Sequence, residues 1–175
     1  MMGKFLALLI LASALIGGGA MYYFQVYGFY EEIAASGPDD VKAVSLTSRL
    51  PEPLPHDDFQ AIDSDSSPIR YRACFSTDLN AADIAASYQR YPGPVPLLAP
   101  KWFDCFDARE VGAALEDGTA LAFMGIPDIR YGIDRVIAVM PDGRGVVWHQ
   151  INRCGKVVFD GRPAPDDCPP PPEGN

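Results

Sequence analysis

The sequence predicts an α+β domain carried behind an N-terminal transmembrane helix. Three observations predict it: an uncharged run from Phe5 to Phe24, two amphipathic stretches with helix-capping signals, and short apolar strands joined by hairpin residues after Ala120. Two helices beside an antiparallel meander make an α+β fold. No internal repeat interrupts that pattern.

The apolar run comes first. A helix of twenty residues rises about 30 Å, the hydrocarbon thickness of a bilayer. It starts after Lys4 and ends in an aromatic cluster, Tyr22, Tyr23, Phe24, Tyr27, Phe29 and Tyr30, a composition favoured at the membrane–water boundary. No further basic residue occurs before Lys42, so the positive-inside rule puts the N-terminus in the cytoplasm and exports the rest. A cleaved signal peptide is the alternative, with Phe5–Ile16 as its apolar core and Gly18-Gly19-Ala20 at the cleavage positions. Apolar character continuing through Met21–Phe24 favours the uncleaved anchor.

Ser36-Gly37-Pro38-Asp39-Asp40 breaks the helix leaving the membrane. The expected division is therefore an anchor and juxtamembrane segment over 1–30, a linker over 31–40, a periplasmic domain over 41–162 and a Pro-rich tail over 163–175. Val41–Thr47 reads as a weak strand, Leu50–Asp58 as a loop and Phe59–Ile62 as a short strand ending in a turn-rich run. Ile69–Phe75 alternates, with Ile69, Tyr71, Ala73 and Phe75 on one face and Arg70, Arg72 and Cys74 on the other, as in a half-buried strand. Asn80 caps a helix to about Tyr91, ended by Pro92-Gly93-Pro94. Asp107 with Glu110 starts a second helix, which presents Val111, Ala114 and Leu115 and stops at Gly118. Strands follow at Ala120–Met124, Ile133–Met140, Gly145–Ile151 and Lys156–Phe159, with hairpin residues at Pro141–Gly145 and Asn152–Gly155.

Beyond the anchor, about 145 residues suffice for one ordinary domain. They hold every basic residue but Lys4, 13 against 23 acidic, a formal −10. That net charge opposes attraction to nucleic acid and to anionic lipid. The four cysteines, Cys74, Cys105, Cys154 and Cys168, all lie in the exported part, and an even count in an oxidising compartment predicts two disulfides. Three connectivities are open; Cys74–Cys105 with Cys154–Cys168 is preferred because each joins chain neighbours. The spacing lacks the C-x-x-C pairs of zinc sites or thiol redox centres.

Candidates for chemistry are sparse, and no cofactor is expected. His149, in Trp148-His149-Gln150, is the leading catalytic candidate, with Asp134, Asp142 or Asp160 as a carboxylate partner for acid–base work. A five-residue Pro141–Gly145 loop would set His149 opposite Ile137 and Asp134 opposite Asn152. His56-Asp57-Asp58 has metal-ligand atoms without a ligand spacing. Asp63-x-Asp65-x-Ser67 resembles half a calcium loop but has Pro68 and Cys74 where glycine and the bidentate acid belong. Both read as turns. Arg70, Arg72 and Arg130 offer forks for a carboxylate or phosphate, against the plainer reading of a solvated strand face. Trp102, Phe103 and Phe106 could line a ligand or partner groove, or pack over the Cys105 disulfide. The Pro169–Pro172 run tends to polyproline II.

The segments Arg70–Phe75, Trp102–Ala108, Tyr131–Arg135 and Pro141–Asn152, together with the anchor, resemble an uncharacterised family of small membrane-anchored alphaproteobacterial proteins, classed as a domain of unknown function. The resemblance implies a bacterial inner membrane with a periplasmic domain and carries no activity or ligand with it. The leading expectation is a non-catalytic accessory or interaction module with an envelope protein as partner. A small hydrolase-like enzyme using His149 with an aspartate, and a small-ligand binder using Arg70, Arg72 or Trp102, are the alternatives.

Overall fold

A computed structural model describes residues 2–172; the end of the expected Pro-rich tail, 173–175, lies outside the described residues. Helix α1 (Met2–Tyr23) passes through a π-helical turn, Phe24–Gly28, into strand β1 (Glu31–Ile33). Strands β2 (Lys42–Val44), β3 (Pro51–Pro53), β4 (Asp57–Asp63) and β5 (Arg72–Ser76) follow, then helices α2 (Ala81–Ser87) and α3 (Ala108–Glu116). Strands β6 (Leu121–Arg130), β7 (Ile133–Val139) and β8 (Arg144–Ile151) and helix α4 (Arg153–Phe159) complete the chain. The α+β class holds.

Six strands form one sheet in the order β1-β4-β5-β8-β7-β6, every neighbouring pair antiparallel. Strand side chains alternate between faces, and here both faces are covered. Ile62, Cys74, Val136, Ala138, Val146 and Trp148 pack under α3 and the aromatic loop of Tyr91, Phe103 and Phe106. Ala61, Ala73, Phe75, Ile137, Val139 and Val147 face the β2–β3 hairpin and Ile84 of α2. Ile69–Phe75 is therefore corrected from a half-buried strand to one buried on both faces and starting only at Arg72. Its polar face misled because Arg72 is itself buried and Cys74 faces a cysteine partner.

Four further segments differ from expectation. Within the expected 31–40 linker, Glu31–Ile33 adds as an edge strand to β4. Pro51 and Pro53 sit in β3, which among the described residues pairs only with β2; proline is tolerated on such an edge. Lys156–Phe159 is helix, not strand: the Asn152 side chain accepts from the Gly155 amide and starts α4, an N-cap that competes with the hairpin reading of Asn-Arg-Cys-Gly. Helix α2, expected to reach about Tyr91, stops at Ser87, because Gln89–Tyr91 bond to β6 instead, Tyr91 N donating to Ala122 O and Met124 N to Gln89 O.

The β7–β8 connection fixes the register of the sheet. Gly143 N donates to Met140 O at 3.1 Å and Met140 N to Arg144 O at 2.8 Å, with Gly143 at φ +85°. That is a three-residue loop, Pro141-Asp142-Gly143, with glycine in the left-handed position such loops require. It is two residues shorter than the five-residue loop considered from sequence, and it sets Arg135 opposite His149 and Asp134 opposite Gln150.

Helix α4 docks on the β6–β7 turn with almost no space between backbones. A Cβ on Gly155 would stand 2.2 Å from Gly132 O. In an ordinary helix Gly→Ala gains up to about 1 kcal/mol. Here Gly155→Ala should instead cost about 1–3 kcal/mol, read from urea unfolding of the detergent-solubilised chain; a gain would show that α4 does not pack as described.

Candidate functional site

His149 lies on the sheet face of α2, 6% exposed, between two cationic and aromatic neighbours. Its Nδ1 stands 2.7 Å from Pro68 O and its Nε2 3.1 Å from Arg135 Nε. Arginine only donates, so the ring is the neutral tautomer that gives Nδ1–H to Pro68 and accepts at Nε2. The Tyr71 ring stacks on it at 4.8 Å, and the Arg135 guanidinium lies 4.1 Å from the centre of the same Tyr71 ring. Burial pushes His149 down to about 4, with the nearby charges of Arg135, Arg72 and Arg130 adding to it against the Pro68 carbonyl. Its basic lone pair is thus occupied by an arginine.

Asp134 points the opposite way, 5% exposed. Its Oδ2 accepts from Tyr91 OH at 3.1 Å, and its Oδ1 from Asp128 N at 2.9 Å and Asn152 Nδ2 at 3.0 Å. Asn152 also donates to Asp128 Oδ1 at 3.0 Å. Burial, then the Asp134 charge, raises the Tyr91 hydroxyl above its ordinary range. These groups border a cleft of about 500 Å³ with Gln89 and Lys156. Their polar atoms are committed to one another, a satisfied buried network. His149 and Asp134 are consecutive-parity residues on paired strands, so the sheet keeps them on opposite faces.

Arg72 is not a solvated strand residue. It is 3% exposed, and its guanidinium donates to four carbonyls: Leu97 at 2.9 Å, Leu98 at 3.0 Å, Ile69 at 2.8 Å and Tyr71 at 2.7 Å. Burial pulls it down to about 10, so it stays charged at neutral pH. Arg70 instead lies 5.4 Å over the Tyr30 ring. Trp102 reaches the segment leaving the anchor: Nε1 donates to Val26 O at 2.6 Å, and the indole stacks on Tyr27 at 6.3 Å. So Arg70 and Trp102 come together at the juxtamembrane segment, while Arg72 fixes the loop between them.

The cysteines stand in two pairs at disulfide distance, Cys74–Cys105 at 2.10 Å and Cys154–Cys168 at 2.03 Å. These are the pairs that chain adjacency favours. His56 Nδ1 bonds Leu54 O at 2.8 Å, Asp58 accepts from Ser76 Oγ at 2.8 Å, and Asp63 accepts from the Ser64 amide at 2.8 Å. Among the described residues no three His, Cys, Asp or Glu side chains gather where they could hold a metal ion. Pro169 is tied back by Tyr131 OH at 2.9 Å.

Sequence reasoning missed Tyr71 and Arg135 around His149, and Tyr91 and Asp128 around Asp134; it did set Asn152 near Asp134, but as a cross-strand partner, the place that Gln150 holds. The Pro-Asp-Gly triplet was the available signal for Arg135, since a three-residue loop gives the β7–β8 register directly. For Tyr91 no local signal exists: it and Asp134 are 43 residues apart.

Fold and site together define a disulfide-paired α+β domain behind one apolar N-terminal helix, Met2–Gly28, long and apolar enough to cross a membrane. Residues 41–169 match the model of a family of unknown function, DUF6446, and the chain belongs to that family. No curated protein and no solved structure matches it.

His149 generates a pH prediction. Its folded pKa lies below the ordinary 6.5, so the unfolded chain takes up the proton first as pH falls. The stability tied to neutral His149 is complete above pH 6.5 and lost as pH drops toward 4. Relative to His149→Gln, whose amide can also bond Pro68 and Arg135, wild type should lose up to about 3 kcal/mol between pH 7 and pH 4. Parallel pH–stability curves for the two proteins would contradict the buried neutral ring.

Proposed function

We propose that this chain is a non-catalytic, membrane-anchored accessory module of the bacterial inner membrane, its domain in the periplasm and working through an envelope protein partner. The observation that carries the reading is the junction between helix and domain. Strand β1 begins within three residues of the π-helical turn and pairs with β4, and Trp102 binds the turn's Val26 carbonyl. A domain built onto its own anchor in this way is held close to the membrane surface, which suits presentation of one surface to a neighbour. The bacterial, periplasmic setting draws on the charge asymmetry around α1 and on the resemblance to alphaproteobacterial membrane-anchored proteins.

His149 weighs against the enzyme reading. A general base needs a free lone pair near its substrate, and usually a group that orients it. This ring is buried, neutral and already bonded at both nitrogens.

An alkaline-phosphatase reporter fused at the C-terminus should be active, and a cytoplasm-active reporter at the same site silent; the reverse pattern contradicts the orientation. Crosslinking in native membranes followed by mass spectrometry should then return one reproducible envelope partner. His149→Gln should leave that crosslink and any phenotype rescued by the wild-type gene intact. Loss of rescue by a folded, abundant His149→Gln protein would favour the enzyme.

A further inference from the structure

The net charge of the domain conceals its distribution. One row of paired residues crosses the sheet through Glu32, Ile62, Arg72, Trp148 and Val136. Everything on the Glu31 side of that row lies toward the anchor. On that side stand Arg70 before β5, Arg135 in β7, and the β6–β7 turn with Arg130 at its shoulder. The opposite end carries Asp57 and Asp58 of β4, with Glu110 and Asp142 gripping Arg144, its cation, at 2.6 and 2.7 Å. Among the described residues, the anchor-side end therefore holds three arginines outside any ion pair, beside the acids Glu31, Asp63, Asp65 and Asp128, while at the far end Arg144 is paired with two carboxylates.

The anchor-side arginines are not neutralised by the chain. Among the described residues, none of Arg70, Arg130 and Arg135 forms an ion pair with a carboxylate. Asp134 is buried and bonded to Asn152, Asp128 is exposed with its Oδ1 accepting from Asn152 Nδ2 and Gly132 N, and Glu31, Asp63 and Asp65 sit at the β1 corner. Arg70 Nη1 is enclosed without a hydrogen-bond partner, beside Tyr30. Arg135 uses Nε on His149 and its face on Tyr71, which leaves its terminal nitrogens available. Adjacent strands are about 4.8 Å apart, so this end extends roughly 20 Å sideways from β1 to β7. That is a lipid-scale surface.

The hydrophobic rim matches. Leu98 is 73% exposed and Val95 56%, in the loop fixed by Arg72 and by Gln150, whose Oε1 accepts from Val95 N at 2.7 Å. Leu98 is four residues from Trp102, at most about 14 Å along an extended chain. Trp102 itself touches the turn that continues α1. An interfacial tryptophan, rigidly held exposed aliphatic residues and unpaired arginines are the components of a surface that lies on headgroups.

Resting on the membrane reading above, we propose that the anchor-side end of the sheet is a lipid-docking surface, in which Arg70, Arg130 and Arg135 donate to the phosphodiester oxygens of anionic phospholipids in the bilayer that holds α1. The domain then lies down on the membrane and presents its acidic end outward.

The test uses the full chain in nanodiscs containing a lipid with a paramagnetic headgroup, and reads line broadening of backbone amides. With phosphatidylglycerol present, residues 68–71, 97–99 and 128–133 should broaden along with 22–30, while 57–58 and 142–144 should not. Arg130→Gln, at an exposed position, should lower the ratio of docked to free domain about fivefold, equivalent to about 1 kcal/mol per basic residue at an anionic surface. High salt or purely neutral lipid should lower it further. Broadening at 22–30 without broadening at 128–133 overturns the docking surface but keeps the anchor. Absence of broadening at 22–30 overturns the membrane reading and this proposal with it. Equal shifts of these amides by inorganic phosphate in neutral discs would make the arginines a small-anion site and overturn lipid docking.

Discussion

A single buried guanidinium organises the half of the domain that faces the anchor. Arg72 has no carboxylate partner among the described residues, yet it is almost wholly enclosed and bonded to four main-chain carbonyls. A charge in such a place is tolerable only where fixed dipoles replace its water. Two of those carbonyls belong to the Pro-rich loop, and that loop leads within a few residues to Trp102. Removing the guanidinium would strand four acceptors and release the loop. The grip of Trp102 on Val26 and Tyr27 depends on that loop being where it is, so the placement of the domain on its anchor traces back to one side chain in β5.

The sheet supplies the frame on which Arg72 acts. Its central strands are covered on both faces, which fixes register because a slip of one residue would exchange the two apolar sets. The Pro141-Asp142-Gly143 loop settles the remaining choice, and the consequences reach the chemistry. His149 meets Arg135 and Tyr71 instead of an acid, and Asp134 turns to Tyr91 and Asn152 on the far side. The polar residues that look catalytic in sequence are thereby divided into two closed structural networks.

What was legible in the sequence was what local signals encode. The helix between Asp107 and Gly118 has its cap, its apolar stripe and its stop within twelve residues, and it forms as expected, with Asp107 accepting from the Arg109 and Glu110 amides. The α+β class and the central hairpins followed from strand alternation and turn residues. The errors lie where a distant partner decides. Arg72 looks solvent-facing because its acceptors, Leu97 and Leu98, are 25 and 26 residues away. Glu31–Ile33 looks like linker because only pairing with β4 makes it strand. Lys156–Phe159, with two valines and a phenylalanine, has strand propensity, and the Asn152 cap with the Gly132–Gly155 contact overrides it.

The central claim is that the domain is built onto its membrane anchor rather than tethered to it, and amide hydrogen exchange across residues 31–33 tests that most directly. In full-length protein held in bilayer nanodiscs, the amides of this segment that bond to β4 should exchange far more slowly than an unstructured chain, with protection that disappears together with that of β4 as denaturant is added. Exchange at the unprotected rate, beside a fully protected β4–β5 pair, would show a flexible linker and contradict the account.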